Sequence, residues 1–513
     1  MQSVFDFVRD SAVKLGQHPL TAWLRDAPDP AARRLMILPA LAPLAMGLRD
    51  VSLWAMQYDR PQGELQEALT AHAFENAAQS RLFLADWRAL GIDGTSGWRA
   101  GDALWWVFAA PQTAPARKTV TGLLAMAAAD DGDPLLRAAW AEAVEAASDV
   151  LFAAAAAPAD EYSRRSGTEL LYLGRKPTAQ GGGQADGRGL FTSRKLPPDQ
   201  LALATTLAGR VLGLFARLFD GILHYAVSCA AAGWVPTRPA AGGERTAVLP
   251  CPGRAAASEA GSALIQSRLD QEMSRISVHP LYRWLGSPAR GTGAGQLSAL
   301  APDWAVTVMS YPEVLRVLAG DPAGWGSPRA WADSLRWHGE AFLADWDALR
   351  LDDQLGLTAS QAMEWLYLDP HTDVHRRGTA VWTRLAAACR TPMERSWLLE
   401  TMEASGDSWF SATAGPAERA EASTGVRLDY LAGRWETPPP GGGAVLRGRV
   451  TQEEETRIAD MIPLVAGTMR ARLNSTWERI TFPEQRRGGR PPARSQPDRQ
   501  WSAAGIHEGS WRA

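Results

Sequence analysis

The sequence contains the same pattern twice. The string HPLTAWL at His18–Leu24 returns as HPLYRWL at His279–Leu285, and LFLADWRALGID at Leu82–Asp93 returns as AFLADWDALRLD at Ala341–Asp352. Three further pairs recur in the same order: Leu38–Pro43 with Leu297–Pro302, Glu142–Ala156 with Glu400–Ala414, and Gly167–Gly174 with Gly425–Gly433. Five matches in one order indicate a tandem duplication, so a single fold should account for both copies.

The segments between the recurring strings predict the domain boundaries. We expect a first helical domain at residues 1–229, a linker rich in Pro, Gly and Ala at 230–263, and a second helical domain at 264–484. The remaining residues, 485–513, are basic and rich in Pro and Gly, which predicts a disordered tail. A chain of 513 residues also exceeds what one ordinary core accommodates.

The pattern of apolar residues within each copy is helical. Leu65, Leu69 and Leu82 follow one another at steps that suit one helix face, and Thr451 with Glu454 forms a capping-box signature. Ala and Leu dominate between short breaks, while runs of Val, Ile and Thr are scarce. We therefore predict an all-α protein in which each copy is a bundle of about six or seven helices.

Composition excludes several classes of protein. A formal net charge of -3 argues against a nucleic-acid binder, and Cys229, Cys251 and Cys389 are too few and too widely spaced for a disulfide framework or a zinc site. The N-terminus lacks the apolar core of a signal peptide, and no apolar stretch is read as long enough to span a bilayer. These features predict a cytoplasmic protein with no nucleic-acid or membrane partner.

His72 and Glu75 in the first copy stand at the spacing that a helical metal site would use, whereas Gln79 on the next turn binds iron poorly. The stretch AHAFENAAQSRLFLADWRALG at Ala71–Gly91 resembles the iron-containing redox enzymes of the heme-oxygenase-like superfamily, which includes TenA-like proteins and diiron oxidases and oxygenases. In that family the helix reads His-x-x-Glu-Asp/Glu-x-x-His before Phe-Leu-x-Asp-Leu-x-x-Leu-Gly. A later helix supplies a Glu, and a final cluster rich in His completes the site. The resemblance covers both copies and implies two tandem heme-oxygenase-like helical bundles.

Neither copy retains the full set of ligands that the resemblance implies. The first copy places His72, Glu75 and Gln79 on the ligand face of its helix, whereas the second copy places Trp331, Ser334 and His338 there. The final His cluster is missing from both copies. A diiron site needs roughly six ligands, so neither copy can build one alone. The remnant metal positions are His72, Glu75, Glu145, His338 and Glu403.

This loss of ligands favours a protein that no longer performs redox chemistry. We expect a non-catalytic partner of an active homologue, or a binder of a small molecule in a pocket between helices, with no cofactor required. The alternative is an iron-dependent oxidase or oxygenase that uses the five remnant positions in an atypical site, with an amino-acid-derived or fatty-acid-like substrate. A TenA-type enzyme with a nucleophilic Cys is disfavoured because Cys229 and Cys389 lie in apolar helical runs.

Other histidines in the sequence have structural explanations. His371, Asp373 and His375 superficially resemble a metal triplet, but Asp369 before Pro370 predicts a capped helix start at this place. The recurring pair His18 and His279 precedes Pro at a helix entrance in each copy, which predicts a capping role.

Overall fold

The computed structural model describes residues 1–175, 189–232, 236–239, 263–320, 328–434 and 450–482, without the side chains of 229–232 and 328–337. Across these ranges the chain is helical and forms no β-strand, apart from one isolated bridge between Arg99 and Thr358. The prediction of an all-α protein is therefore confirmed. Most of the predicted linker, the predicted tail, and the side chains of Trp331 and Ser334 lie outside the described residues.

The helices of the first copy follow one another with short connections. They are α1 (Gln2–Leu15), α2 (Pro19–Asp26), α3 (Ala31–Arg34), α4 (Leu38–Val51), α5 (Glu64–Ala89), α6 (Ile92–Ser96), α7 (Ala100–Phe108), α8 (Ala114–Met126), α9 (Pro134–Ser166) and α10 (Pro198–Ala232). A short 3-10 helix links α3 to α4, and a π-helical turn extends α4 to Met56.

The helices of the second copy repeat that order, except that α3 has no α-helical counterpart. They are α11 (Ala263–Ser277), α12 (Pro280–Gly286), α13 (Gly293–Ala319), α14 (Pro328–Ala348), α15 (Leu351–Leu355), α16 (Ala359–Leu368), α17 (Pro370–Ala388), α18 (Pro392–Thr424) and α19 (Gln452–Thr481). Six of the described helices in each copy are 13 residues or longer. Each long helix of the first copy has a counterpart at the same place in the order of the second.

The recurring histidines cap helices, as the sequence predicts. His18 accepts a hydrogen bond from the backbone N–H of Leu20, and His279 accepts one from that of Leu281. The other ring nitrogen of each histidine contacts the last long helix of its own copy, at Asp220 in the first copy and at Asn474 in the second. These equivalent contacts align the sequence of α10 with that of α19. The capping box at Thr451 and Glu454 is also present.

The recurring Phe-Leu-Ala-Asp-Trp motif anchors a turn that follows a distant helix. Asp86 is fully buried, and its carboxylate accepts hydrogen bonds from the backbone N–H groups of Leu171, Tyr172 and Leu173 at 2.6, 3.0 and 2.8 Å. Asp345 does the same in the second copy and accepts from Leu431 at 2.7 Å. A carboxylate satisfies several buried donors at once, which accounts for an Asp at this position of both copies.

The two copies exchange equivalent contacts across their boundary. Asp93 of the first copy accepts hydrogen bonds from the backbone and the hydroxyl of Ser360, at the start of α16. Asp352 of the second copy accepts from the backbone of Gly101, at the start of α7. Asp93 and Asp352 are equivalent in the repeat, as are Gly101 and Ser360. Each copy therefore supplies a carboxylate that accepts a hydrogen bond from a backbone N–H group in the first turn of a helix of the other copy.

Buried ion pairs also cross the boundary between the copies, from equivalent arginines to acids at positions that are not equivalent. Arg117 pairs with Glu313 at 2.9 Å, and its repeat equivalent Arg376 pairs with Asp50 at 3.1 Å, so each arginine reaches into the other copy. Phe108 lies parallel to its own equivalent, Tyr367, with ring centroids 6.4 Å apart. Reciprocal contacts of equivalent residues are the property of a twofold interface. The largest hydrophobic core is continuous across both copies.

The expectation that no apolar stretch is long enough to span a bilayer is corrected by the described helices. Ala31–Met56 and Pro198–Ser228 both meet the requirement by length and composition. The first lies 83% buried inside the protein, as expected for a core helix. The second is 39% buried, and its exposed side carries Arg210, Arg217 and Asp220, which suits the water-facing side of an amphipathic helix.

Candidate functional site

The remnant ligand His72 lies on α5, half-buried, within a short series of side-chain hydrogen bonds. Its Nε2 atom lies 2.8 Å from the amide nitrogen of Asn76, whose own oxygen accepts a hydrogen bond from Gln79 at 3.0 Å. An amide nitrogen only donates, so the imidazole nitrogen accepts. A metal ion that bound His72 through Nε2 would need the same lone pair. The sequence interpretation did not identify Asn76 as the residue that engages it.

Glu145 on α9 is the remnant carboxylate nearest to His72. Its Oε2 atom lies 4.0 Å from His72 Nε2, and both side chains are partly exposed. Glu75, in contrast, is exposed to solvent, and it follows His72 by three residues on the same helix. The structure thus brings His72 and Glu145 together while Glu75 faces water.

A second carboxylate stands beside Glu145. Asp149 follows it by one helical turn, and burial together with the negative charge of Glu145 raises the pKa of Asp149 to about 6, while Arg175 opposes the shift. The pair of acids one turn apart was the available signal in the sequence. Glu145 and Asp149 therefore place two acids one turn apart on α9, and Glu145 is the one that approaches His72.

In the second copy the corresponding region is aromatic. The imidazole of His338 lies nearly perpendicular to the rings of Tyr311 and Tyr430. Its ring centroid is 5.6 Å from that of Tyr311 and 6.1 Å from that of Tyr430. Burial lowers the pKa of His338 to about 4, so the ring is neutral at pH 7. Glu403 lies half-buried on α18. This environment resembles the packing of a hydrophobic core.

Across the residues that the structure describes, no group of three or more His, Cys, Asp and Glu side chains is arranged to hold a metal ion. The triplet considered at the start of α17 is also separated: His371 is exposed, Asp373 pairs with Arg49 and Arg376, and His375 is fully buried. Asp369 caps this helix, as the sequence predicts.

The one cysteine side chain within the described ranges is not poised for nucleophilic chemistry. Cys389 is buried, and burial with the nearby charge of Glu394 raises the pKa of its thiol to about 12. A thiol needs to ionise to act as a nucleophile, so Cys389 is unreactive at neutral pH. The side chains of Cys229 and Cys251 lie outside the described residues.

Comparison with protein-family models finds no match to this chain, and comparison with curated proteins finds none either. The resemblance to heme-oxygenase-like proteins consequently rests on the motif residues of α5 and their partial repetition in α14.

Proposed function

We propose that the chain is a heme-oxygenase-like protein that has lost both metal sites and binds a small molecule without redox catalysis. The observation that carries the proposal is the lack of any three-ligand group among the described side chains. Seven of the eight histidines of the sequence lie in those ranges, and only His507 does not. An iron site with several imidazoles would have to draw all but one of them from these seven.

The surroundings of the remnant histidines support the same proposal. Asn76 uses the lone pair of His72 Nε2, one of the two ring nitrogens through which a histidine binds metal, and Gln79 stabilises Asn76 in that position. His338 packs among tyrosine rings. A second family ligand is thereby converted into core packing, while the anchoring residues Asp86 and Asp345 are kept.

Such a protein has two modes of action open to it, binding of a small molecule and binding of an active homologue. A bundle that keeps its scaffold and loses its metal can still present an apolar pocket between helices. It can also bind an active homologue through the surface that family members share. We place the protein in the cytoplasm on the basis of its few and widely spaced cysteines.

The metal content of the purified full-length chain tests the proposal. The protein is produced in iron-supplemented cells, and iron, manganese and zinc are measured per chain by mass spectrometry. We expect far less than one metal ion per chain, together with a folded protein by circular dichroism. Glu145→Ala and the matched control Asp160→Ala, an exposed acid on the same helix, should both remain folded and unchanged in metal content.

The second candidate function is an iron-dependent oxidase or oxygenase, and the 4.0 Å approach of Glu145 to His72 favours it. In that case His72, Glu75 and Glu145, with His338 and Glu403, would contribute to an atypical site for an amino-acid-derived or fatty-acid-like substrate. Stoichiometric iron that disappears in Glu145→Ala but remains in Asp160→Ala, with substrate-dependent oxygen consumption, would establish the enzyme and overturn the proposal above.

A further inference from the structure

The second copy buries a positive charge that has no acidic partner within the described part of the chain. Arg472 on α19 is 0% exposed, and its Nε and Nη1 atoms have no hydrogen-bond partner among the described residues. Its Cζ atom lies 4.1 Å from the centroid of the Trp382 ring, and Nη2 donates to the backbone oxygen of His375 at 3.3 Å. Burial lowers the pKa of Arg472 to about 9, so the guanidinium is still charged at neutral pH.

The first copy shows what the same place looks like without this charge. Asp220 and Asn474 occupy equivalent positions, because each contacts the capping histidine of its own copy. The same alignment matches Arg472 with Leu218. Arg117 and Arg376 each donate a hydrogen bond to a threonine four residues earlier, and this shared contact aligns the sequence of α17 with that of α8. The second copy therefore carries Arg472, His375, Thr476 and Trp382 where the first carries Leu218, Ala116, Ile222 and Leu123.

All four residues of the first copy are buried and apolar. In the first copy the position equivalent to Arg472 is therefore filled by a buried leucine, so the packing of the helices there does not require an arginine. A buried charge without a partner is strongly destabilising, whereas an apolar residue of similar shape is not. The charge in the second copy calls for a compensating anion that the described part of the chain does not provide.

Two further polar atoms lie around Arg472 with unused hydrogen-bonding capacity. Nε2 of His375 is fully buried and has no hydrogen-bond partner within the described residues, and the same holds for Oγ1 of Thr476. Thr476 follows Arg472 by one helical turn on the same face. Thr307 contacts Nδ1 of His375 at 3.0 Å, so the imidazole can accept from Thr307 and donate through Nε2.

Aromatic surface adjoins the polar cluster. The ring of Trp304 packs edge-on to His375, with centroids 5.4 Å apart, and stacks on Trp409 at 3.6 Å. The indole N–H groups of Trp304 and Trp409 are buried and have no partner in the described residues. An occupant beside Arg472 would meet one cationic group, neutral donors and the indole rings.

We propose that Arg472, His375 and Thr476 form an interior binding site for the carboxylate of a small apolar organic acid, whose body packs against the tryptophans. The inference rests on the proposed function as a small-molecule binder and names the class of ligand. One guanidinium matches a single negative charge, and its N–H groups form charge-assisted hydrogen bonds with carboxylate oxygens. The indole faces match a hydrocarbon body better than a bare inorganic anion.

Calorimetric titration of the full-length, chelator-treated chain with sodium octanoate tests the site. Arg472→Leu introduces the residue of the first copy, and Arg217→Leu, at an exposed arginine of α10, is the matched control. We expect wild type and control to bind octanoate equally, and Arg472→Leu to bind about tenfold or more weakly. Without octanoate, the melting temperature of Arg472→Leu should exceed that of wild type, because an unpaired buried charge is removed.

Equal octanoate affinity in wild type and Arg472→Leu would overturn the site. Inorganic phosphate that competes as strongly as octanoate would overturn the assignment to an organic acid. An Arg472→Leu chain that does not fold would show that the bundle needs the charge, and it would also overturn the inference. Thr476→Ile, the exchange toward the first copy, adds a milder variant in which octanoate should bind more weakly.

The two proposals fail separately. Iron with oxygen-dependent turnover would overturn the non-catalytic function and leave the dependence of octanoate binding on Arg472 intact. Binding of octanoate that ignores Arg472 would overturn this site and leave the metal analysis unaffected.

Discussion

Removal of the Asp86 carboxylate should be among the most damaging single changes in the first copy. In Asp86→Ala the backbone N–H groups of Leu171, Tyr172 and Leu173 lose their acceptor in a fully buried place. Each unsatisfied donor costs about 1–3 kcal/mol. Burial of the carboxylate is itself unfavourable, and it raises the pKa of Asp86. After this offset we expect a loss of about 4 kcal/mol, a large part of a typical unfolding free energy of about 5–15 kcal/mol.

Urea denaturation at pH 7, followed by circular dichroism, measures this loss. Glu75→Ala is the matched control because it removes an exposed carboxylate from the same helix, and it should change the unfolding free energy by less than about 0.5 kcal/mol. Asp86→Asn keeps one acceptor oxygen and should fall between the two. A loss below about 1 kcal/mol in Asp86→Ala would refute the view that this carboxylate anchors the turn.

Two further predictions concern other buried groups. Arg117→Met leaves Glu313 buried with less compensation and should cost about 3–5 kcal/mol in urea denaturation, whereas Arg117→Met with Glu313→Leu should recover much of that loss. Burial raises the pKa of Asp345 to about 7, so the folded chain holds a proton that the unfolded chain releases above about pH 4. The unfolding free energy should therefore fall as the pH rises from about 4 to 7. In Asp345→Asn this decline should be flatter, and chemical denaturation at several pH values measures it. An unchanged slope of unfolding free energy against pH in the variant would contradict the raised pKa of Asp345.

The helical class and several caps could be predicted from the sequence because they depend on local patterns. His18, His279 and Thr451 act within a few residues of their own positions, and their roles are visible in the structure. The conservation of Asp86 as Asp345 in the second copy was also visible. Its three acceptor bonds were not, because the donors lie 85 to 87 residues away.

The candidate site was harder to predict for physical reasons. Residues at steps of three and four share a helix face, but the burial of that face depends on its neighbours, and Glu75 turned out to be exposed. Arg472 looked like any arginine of an amphipathic helix. A residue-by-residue comparison with the first copy, where Leu218 stands, would have revealed it.

Phe108 and Tyr367 lie against each other where an assembly of two identical subunits would place one residue against itself. In such an assembly every mutation occurs twice, so an arginine that helps one subunit would appear in both. Covalent fusion of the copies removes this constraint. One half can accept a costly substitution while the other supplies rigidity, and sequence divergence between the halves then becomes a record of which half acquired a specialised task.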